Sequence, residues 1–438
     1  MHTTSSSTRS SWIRPAAVLA TTAALGLALV GCGQNTTGAT GSSGPTGSTG
    51  STGTSAARAT TTVATPSGTA GTGSPSAAPY PSVITDEVVA NPAFAPLEQE
   101  ITKRITAAQL PGASLLVLQD GKLVEQNAVG TYDLSTKVPI ASASKWLTGA
   151  TIMTLVEDGL IDLDEPISTY LPDTTGPSAA ITMRQLLSFT SGLEFDEKIP
   201  CYNDPTTTLA ACNAEILKLP LLGKPGTGYR YTGTHLHVAA GVVEAVTHQT
   251  YEQVFQERIA KPLGMTETTF VNALRAAASP DGHPLPAGSG MSTLGDYGRF
   301  MEMLVHDGVA PDGTQILLPA TIAEMGTNQI ADADFVSASA NRKANKTPYG
   351  LAHWLDMVDA DGHAMLESSP GAFGFRPWFD HVNHIAGVYL IVDQDETHVP
   401  DSPFNTGAPA AEDVQTSGQW VVVGTVKALG GKLPSAKG

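Results

Sequence analysis

Two spacings of hydrophobic positions recur after about residue 81, and they predict which segments form helices and which form strands. Apolar residues three or four positions apart predict an amphipathic helix, whereas short apolar runs between turn residues predict strands. Helical spacing covers residues 96–110, 144–158, 238–246, 251–259, 294–304 and 418–429. Apolar runs that predict strands cover residues 113–119, 122–129, 353–358, 376–380 and 387–392.

Turn and capping signals support several of these boundaries. Asp120-Gly121 separates the first two strands, as a hairpin turn would. The segment Thr182–Gln185 has the residue types of a capping box, and Thr293–Asp296 has the spacing of a second helix cap. We therefore expect an additional helix to begin after Thr182.

The order of these elements predicts the fold class. Strands occur near both ends of the folded part, whereas residues 165–284 contain mainly helical patterns and loops. We expect an α/β (α+β) fold, with an antiparallel sheet flanked by helices and built from residues 81–164 and 285–438. Residues 165–284 would form an inserted, mostly helical domain, and no internal repeat is visible.

The first 80 residues follow a different pattern. Two arginines precede an uncharged, mostly apolar run over 16–30, which is too short to span a bilayer and ends close to Cys32. This segment resembles the lipobox of bacterial lipoproteins, although a plain secretory signal is the alternative. We expect a lipoprotein signal peptide over 1–31, lipidation of Cys32 and a flexible Gly/Ser/Thr-rich tether over 32–80. The protein would then be exported and anchored on the outer face of the bacterial cell membrane.

Composition and charge limit the class of partner. The chain has 438 residues, enough for two or three folding units, and its formal net charge is −17. All 41 acidic residues lie beyond residue 85, so the folded part is the acidic part. Because such a surface repels phosphate backbones, we expect no nucleic-acid partner. The expected contacts are a small-molecule substrate and the membrane, the latter through the lipid on Cys32.

The other two cysteines, Cys201 and Cys212, lie eleven positions apart. In the oxidising compartment that an exported protein enters, they are expected to form a disulfide bond. Two free buried thiols are the alternative.

One short motif offers nucleophilic chemistry. Of the thirteen lysines, only Lys145 has a serine three positions before it, namely Ser142. Residues at this spacing on a helix lie on one face, so the amine can reach the hydroxyl. A serine needs such a partner because its own hydroxyl is a weak nucleophile. Alone, however, this tetrapeptide is a common chance match.

The surroundings of this motif resemble a known family. Its segments lie in one order along the chain, at residues 139–149, 155–167, 181–193, 225–232, 261–265, 290–300 and 318–325. They resemble the serine β-lactamase-related family, which includes class C β-lactamases, D-alanyl-D-alanine carboxypeptidases and family VIII esterases. The resemblance extends from about Leu97 to Val392.

The resemblance implies roles for individual residues. Ser142 matches the nucleophile, Lys145 its base partner, and Tyr231 the tyrosine of the family's Tyr-x-Asn element, although a half-buried structural aromatic is the alternative for Tyr231. Gly233 stands where that element has asparagine, so a contact to a substrate's acyl-side amide is missing.

The family's third element is Lys-Thr-Gly or His-x-Gly on a late strand, and its best match here is Ser369-Pro-Gly371. Its first position has no cation to contact a substrate carboxylate. Gly371 allows close approach of the backbone, and the N–H of Ala372 would form an oxyanion hole with that of Ser142. A purely structural role for Ser369 is an equal alternative.

Other constellations are weaker. Residues 367–371 nearly match the Gly-x-Ser-x-Gly motif, which is otherwise absent. His235 and His237 are two positions apart and would face different sides of a helix, so we expect solvated histidines, no metal site and no cofactor. A cluster of aromatic residues either forms the wall of an acyl pocket or packs in the core, and comprises Phe373, Phe375, Trp378 and Phe379.

Together these features predict an envelope-anchored serine hydrolase that acts through an acyl-enzyme on small esters or related acyl substrates. A D-alanyl-D-alanine carboxypeptidase or class C-like β-lactamase, acting on peptidoglycan peptide or β-lactam, is the nearest alternative. A catalytically weak protein that binds cell-wall peptide or a partner protein is an alternative of another class.

Overall fold

The computed structural model describes residues 78–270, 283–392 and 409–433, and the structural statements below concern these residues. The proposed signal peptide, Cys32 and the tether up to residue 77 lie outside the described residues.

The described part of the chain contains ten strands. They are β1 (Gly112–Gln119), β2 (Lys122–Gly130), β3 (Val138–Pro139), β4 (Gly228–Arg230), β5 (Met291–Ser292), β6 (Asp334–Ser337), β7 (Trp354–Val358), β8 (Ala364–Ser368), β9 (Arg376–Asp380) and β10 (Ile385–Ile391). Six of them form one sheet in the order β2-β1-β10-β9-β8-β7, and every neighbouring pair is antiparallel. The predicted antiparallel sheet built from both ends of the chain is confirmed.

Eleven α-helices accompany these strands in the described residues, together with short 3-10 and π-helical turns. The α-helices are α1 (Ala95–Ala107), α2 (Ser144–Glu157), α3 (Met183–Leu187), α4 (Leu209–Ile216), α5 (Thr234–Thr247), α6 (Tyr251–Phe255), α7 (Lys261–Leu263), α8 (Leu294–Val305), α9 (Pro319–Met325), α10 (Ala340–Ala344) and α11 (Pro409–Ala428). The capping box predicted at Thr182 is present at the start of α3, and the Thr293 side chain caps α8. No helix among the described residues is long and apolar enough to cross a membrane.

The central sheet is covered on both faces. Leu116 and Leu118 of β1 belong to the larger hydrophobic cluster, which includes residues of α2 and α8. Leu115 and Val117 point to the opposite cluster, which includes residues of α1 and α11. Burial on both faces explains why β1 is a continuous apolar run rather than an alternating one.

Some boundaries differ from those predicted. Helix α5 begins at Thr234, four residues before the predicted start at 238, and α11 begins at Pro409 rather than at 418. The pattern of apolar positions did not predict strand β8, and the Ser369-Pro-Gly371 element, expected on a late strand, follows the end of β8 instead. The buried positions of β8 include Glu367 and Ser368. Such polar residues usually indicate a solvent-exposed position, and the partners that allow their burial come from other parts of the folded chain.

Residues 165–284 are mainly helical where the structure describes them, apart from the short strand β4. That strand pairs in parallel with β6, beyond the predicted boundary of the inserted domain. The division into two domains stays a prediction. The disulfide bond between Cys201 and Cys212 is present and joins the loop before α4 to α4 itself.

Candidate active site

Ser142 lies at the entrance to α2. It belongs to a 3-10 turn, Ala141–Ala143, that runs directly into the helix, so that Lys145 follows in the first turn. The Nζ atom of Lys145 donates a hydrogen bond to Ser142 Oγ at 2.8 Å and another to the carbonyl oxygen of Ala287 at 2.6 Å. The Lys145 residue is only 5% exposed. The proximity predicted from the Ser-x-x-Lys spacing is therefore present, and the amine is held by two oxygen atoms.

The turn that carries Ser142 has a strained backbone. Ala141 has a φ of 44°, a left-handed value that costs a residue with a side chain on the order of 1–3 kcal/mol. Gly290 stabilises this conformation from across the site. Its carbonyl accepts from the Ile140 N–H at 2.9 Å, and its own N–H donates to Ser144 Oγ at 3.0 Å.

Tyr231 lies between β4 and α5, and its ring faces Lys145. The Nζ atom of Lys145 is 4.9 Å from the centre of this ring, so the amino group lies over the ring face. On another side the ring stacks with Trp354, with centroids 5.3 Å apart and planes 26° apart. The structure thus brings together Ser142, Lys145 and Tyr231 from two distant parts of the chain.

Gly233 lies at the N-terminus of α5, and the space beside it is occupied. A β-carbon at this position would overlap with the hydroxyl of Tyr202 and would lie 2.8 Å from Asp196 Oδ2. The same carboxylate oxygen accepts a hydrogen bond from the Gly233 N–H at 3.2 Å. Tyr202 and Asp196 were not among the predicted site residues, although the position of Tyr202 next to Cys201 was a usable signal.

The Ser369-Pro-Gly371 element follows the end of β8 and contacts the turn that contains Ser142. Ser369 is 2% exposed, and its hydroxyl donates to the backbone carbonyl oxygen of Ser142 at 3.0 Å. A β-carbon on Gly371 would overlap with the Ile140 carbonyl oxygen, so only glycine permits this close approach. The hydroxyl of Ser369 therefore has a structural partner, while Gly371 brings the segment that contains Ala372 next to the Ser142 turn.

A buried ionic cluster lies beside this element. Asp356 accepts hydrogen bonds from Arg376 at 2.9 Å and from the Ser368 hydroxyl at 2.6 Å, and it forms an ion pair with Arg342. Burial alone would raise the pKa of Asp356, but the two guanidinium groups and the hydroxyl hold that pKa below its ordinary value. Arg342 also packs 4.5 Å above the Trp354 ring. No local motif indicated this cluster, because its charged residues come from separate segments of the chain.

A second buried cluster centres on Glu367. Its carboxylate contacts Nε2 of His353 at 2.8 Å and Nε2 of His381 at 3.1 Å. Burial would raise the pKa of Glu367, yet the two imidazoles lower it to about 2. The His353 ring stacks on Trp146, which directly follows Lys145. The segment 367–371, which nearly matches Gly-x-Ser-x-Gly, therefore forms the end of β8 and part of this ionic cluster.

The expectation of solvated histidines at positions 235 and 237 is wrong. Both residues are fully buried. His235 contacts the Ser191 hydroxyl at 2.7 Å and the Arg230 carbonyl at 2.9 Å, and burial lowers its pKa to about 3. His237 contacts different partners, including Nε2 of His283 at 2.6 Å.

The aromatic cluster after Gly371 packs mainly in the core. Phe375 and Trp378 are fully buried and Phe379 is nearly so, whereas Phe373 is only half-buried. Phe375 packs against Tyr297 with ring centroids 5.1 Å apart. Of the two interpretations left open for this cluster, core packing is the one that holds for Phe375, Trp378 and Phe379.

Comparison with known proteins tests the resemblance drawn from the motifs. The family model described as Beta-lactamase matches residues 97–404. Protein Rv1367c of Mycobacterium tuberculosis strain H37Rv is 30% identical over 400 residues, which cover 74% of this chain and 96% of that protein.

Solved structures agree. A Bacteroides dorei DSM 17855 protein, provisionally described as a β-lactamase, superposes with a TM-score of 0.63 and 31% identity over 74% of this chain and 98% of its own. A family VIII carboxylesterase superposes with a TM-score of 0.59 at 16% identity, over 76% of this chain and 100% of its own, and shares the fold. The resemblance seen in the motifs is thus confirmed across most of the folded chain, which belongs to the Beta-lactamase family and has a fold typical of serine hydrolases.

Proposed function

We propose that this protein is a serine hydrolase that cleaves small esters through an acyl-enzyme on Ser142. The observation that supports this most directly is the buried Lys145 amine 2.8 Å from the Ser142 hydroxyl. A buried amine in this position can accept the hydroxyl proton as the serine oxygen attacks a carbonyl carbon.

The proposed reaction has two stages. Ser142 Oγ bonds to the ester carbonyl carbon, and its proton passes to Lys145. Tyr231 is the proposed relay: its hydroxyl gives its own proton to the leaving alcohol and is reprotonated by Lys145, whose Nζ lies 4.9 Å from the centre of the Tyr231 ring. Water then attacks the acyl-enzyme, its proton returns to Ser142 Oγ, and the acid is released. The N–H groups of Ser142 and Ala372 are the proposed donors to the oxyanion in both stages.

Two features favour esters over β-lactams or peptides. The Ser369 hydroxyl is uncharged and bonds to the Ser142 carbonyl, so it offers no cation for a substrate carboxylate. Tyr202 and Asp196 fill the space beside Gly233, so no asparagine amide is available there. Each missing hydrogen bond is worth roughly 1–3 kcal/mol to a substrate that needs it, and a small ester needs neither.

The test compares substrate classes on one preparation. We expect kcat/KM for p-nitrophenyl butyrate to exceed that for nitrocefin by at least about 100-fold, which corresponds to about 2.7 kcal/mol. A D-Ala-D-Ala peptide is the third substrate, and mass spectrometry should detect an acyl adduct on Ser142.

Ser142→Ala should abolish turnover and labelling by a fluorophosphonate probe, whereas Ser135→Ala, at an exposed position, should change neither. Faster turnover of nitrocefin or of the peptide would replace the ester proposal with the β-lactamase or carboxypeptidase alternative. Binding of wall peptide without any turnover would favour the binding protein instead.

We also propose that the protein is a lipoprotein anchored at Cys32. The support is the apolar run over 16–30 that ends in small residues before this cysteine. A fatty-acid analogue fed to cells should label the protein, and Cys32→Ser should remove the label. Cys212→Ser keeps Cys32 and should keep the label. Unlipidated protein found only in the medium would contradict this proposal.

A further inference from the structure

Two buried histidines face each other away from the Ser142 site. His237 lies on α5 and is fully buried, and His283 is 4% exposed. Their Nε2 atoms are 2.6 Å apart. Neither ring takes part in the reaction proposed above, so this pair needs its own explanation.

The partners of each ring determine where its proton lies. The Asn213 amide nitrogen donates to the His237 backbone carbonyl at 3.1 Å, so the amide oxygen of Asn213 is the atom that faces His237 Nδ1, at 2.6 Å. At the other ring, His283 Nδ1 lies 3.0 Å from the backbone carbonyl oxygen of Asp204. Both oxygens can only accept, so both Nδ1 atoms must carry the hydrogen.

This assignment leaves a conflict between the rings. A neutral imidazole with hydrogen on Nδ1 has a lone pair on Nε2. In both rings that lone pair points toward the other ring, at a separation where two acceptors repel each other. A cation between the two nitrogens removes the repulsion. Burial costs energy for either cation, but a metal ion keeps both rings neutral and gains the energy of the ligand bonds, which offsets that cost.

The surroundings have the features of a metal site. Histidine ligands in proteins donate their second N–H to a carboxylate or carbonyl, which orients the ring, and both rings here donate to a carbonyl-type oxygen. The sulfur of Cys212 lies within 4.8 Å of a ring nitrogen of each histidine. That sulfur is bonded to Cys201 in the structure, so it can become a thiolate ligand only after reduction.

We propose that His237 and His283 bind one Zn²⁺-type ion through their Nε2 atoms, and that Cys212 becomes a third ligand when its disulfide is reduced. Two imidazoles and a thiolate are a donor set that suits Zn²⁺. The nitrogens must separate to about 3.3 Å to hold a tetrahedral ion at roughly 2.0–2.1 Å from each. The proposed ligands connect the segment between Cys201 and Cys212 to helix α5. The first turn of that helix begins three residues after Tyr231.

The test titrates Zn²⁺ alone into the purified full chain by calorimetry. We expect one ion per chain, and His237→Gln or His283→Gln should weaken binding by at least about tenfold. His248→Asn, at the exposed end of the same helix, is the matched control and should bind as the wild type does.

A phosphine reductant tests the third ligand. It gives two electrons to the disulfide and becomes the phosphine oxide, while each sulfur gains a proton from water. Zn²⁺ should then displace the proton of the Cys212 thiol and bind at least about tenfold more tightly than before. With Co²⁺ as the probe, a thiolate charge-transfer band should appear only after reduction, and it should be missing in Cys212→Ala.

Two outcomes would overturn the proposal. One is unchanged Zn²⁺ affinity in both histidine variants, and the other is no binding up to about 1 mM, in which case a shared proton bridges the rings. Should the variants fail to fold, side-chain nitrogen NMR of the wild type decides, because Zn²⁺ must shift two imidazole Nε2 signals. Far-UV circular dichroism of each variant checks folding without relying on Ser142, so a failure of this proposal is distinguishable from a failure of the hydrolase proposal.

Discussion

The hydroxyl of Tyr202 occupies the place where the side chain of residue 233 would begin, so glycine at that position is a requirement of packing. The absence of the asparagine of the Tyr-x-Asn element therefore leaves no empty space in the site. A residue from the disulfide loop replaces it, next to the turn from Tyr231 into α5.

Gly233→Asn should consequently destabilise the protein rather than create β-lactamase activity. We expect a loss of about 1–3 kcal/mol in the free energy of unfolding, because the new side chain overlaps with Tyr202. Chemical denaturation measures this loss. Gly288→Ala is the matched control and should have little effect, since nothing lies within 4 Å of a β-carbon there. The double variant with Tyr202→Ala should regain part of the stability, and equal losses with and without Tyr202 would contradict the explanation.

Lys145→Met should reduce ester kcat by about 10²–10⁴-fold, because Ser142 then loses its proton acceptor. Stopped-flow measurement of p-nitrophenol release checks this value and separates acylation from deacylation. Lys218→Ala, at an exposed position, should leave kcat unchanged. Retention of the wild-type acylation rate without the amine would mean that another group takes the proton.

Ser369→Ala tests whether this residue is structural. Its hydroxyl donates to the Ser142 carbonyl at 3.0 Å, so we expect a loss of about 1 kcal/mol in stability and only a small change in KM. Thermal denaturation and ester kinetics on the same sample measure both quantities. A large rise in KM at unchanged stability would instead show that Ser369 binds substrate.

The ionic cluster at Glu367 should make stability depend on pH in two directions. The pKa of Glu367 is lowered to about 2 in the folded protein, so its contribution is present above the ordinary value of 4.5 and is lost as the pH falls toward 2. Burial opposes the charge on His381, but the Glu367 carboxylate raises the His381 pKa above 6.5. That contribution is complete below pH 6.5 and is lost as the pH rises through the folded value.

Tm measured against pH should therefore contain a stabilising component between about pH 4.5 and 6.5 that Glu367→Gln removes. Glu215→Gln, at an exposed position, should keep the wild-type profile. Identical profiles for the wild type and Glu367→Gln would show that the cluster does not control this dependence.

The sequence by itself determined the local parts of this protein. The helices over Ala95–Ala107 and Ser144–Glu157 and the hairpin around Asp120 follow from spacing and turn residues that act within a few positions. The proximity of Ser142 to Lys145 follows for the same reason, because three residues along a helix entrance fix the distance between their side chains. The order of motifs then identified the family.

Only the tertiary structure decided what surrounds those residues. The filling of the Gly233 site depends on Tyr202, and the bond from Ser369 to Ser142 joins positions 227 residues apart. The burial of strand β8 and of His235 could not be predicted from their polar residues, because the partners that compensate this burial come from other segments. Local geometry is encoded by neighbours in the chain, whereas burial and hydrogen-bond partners are set by which distant segments pack together.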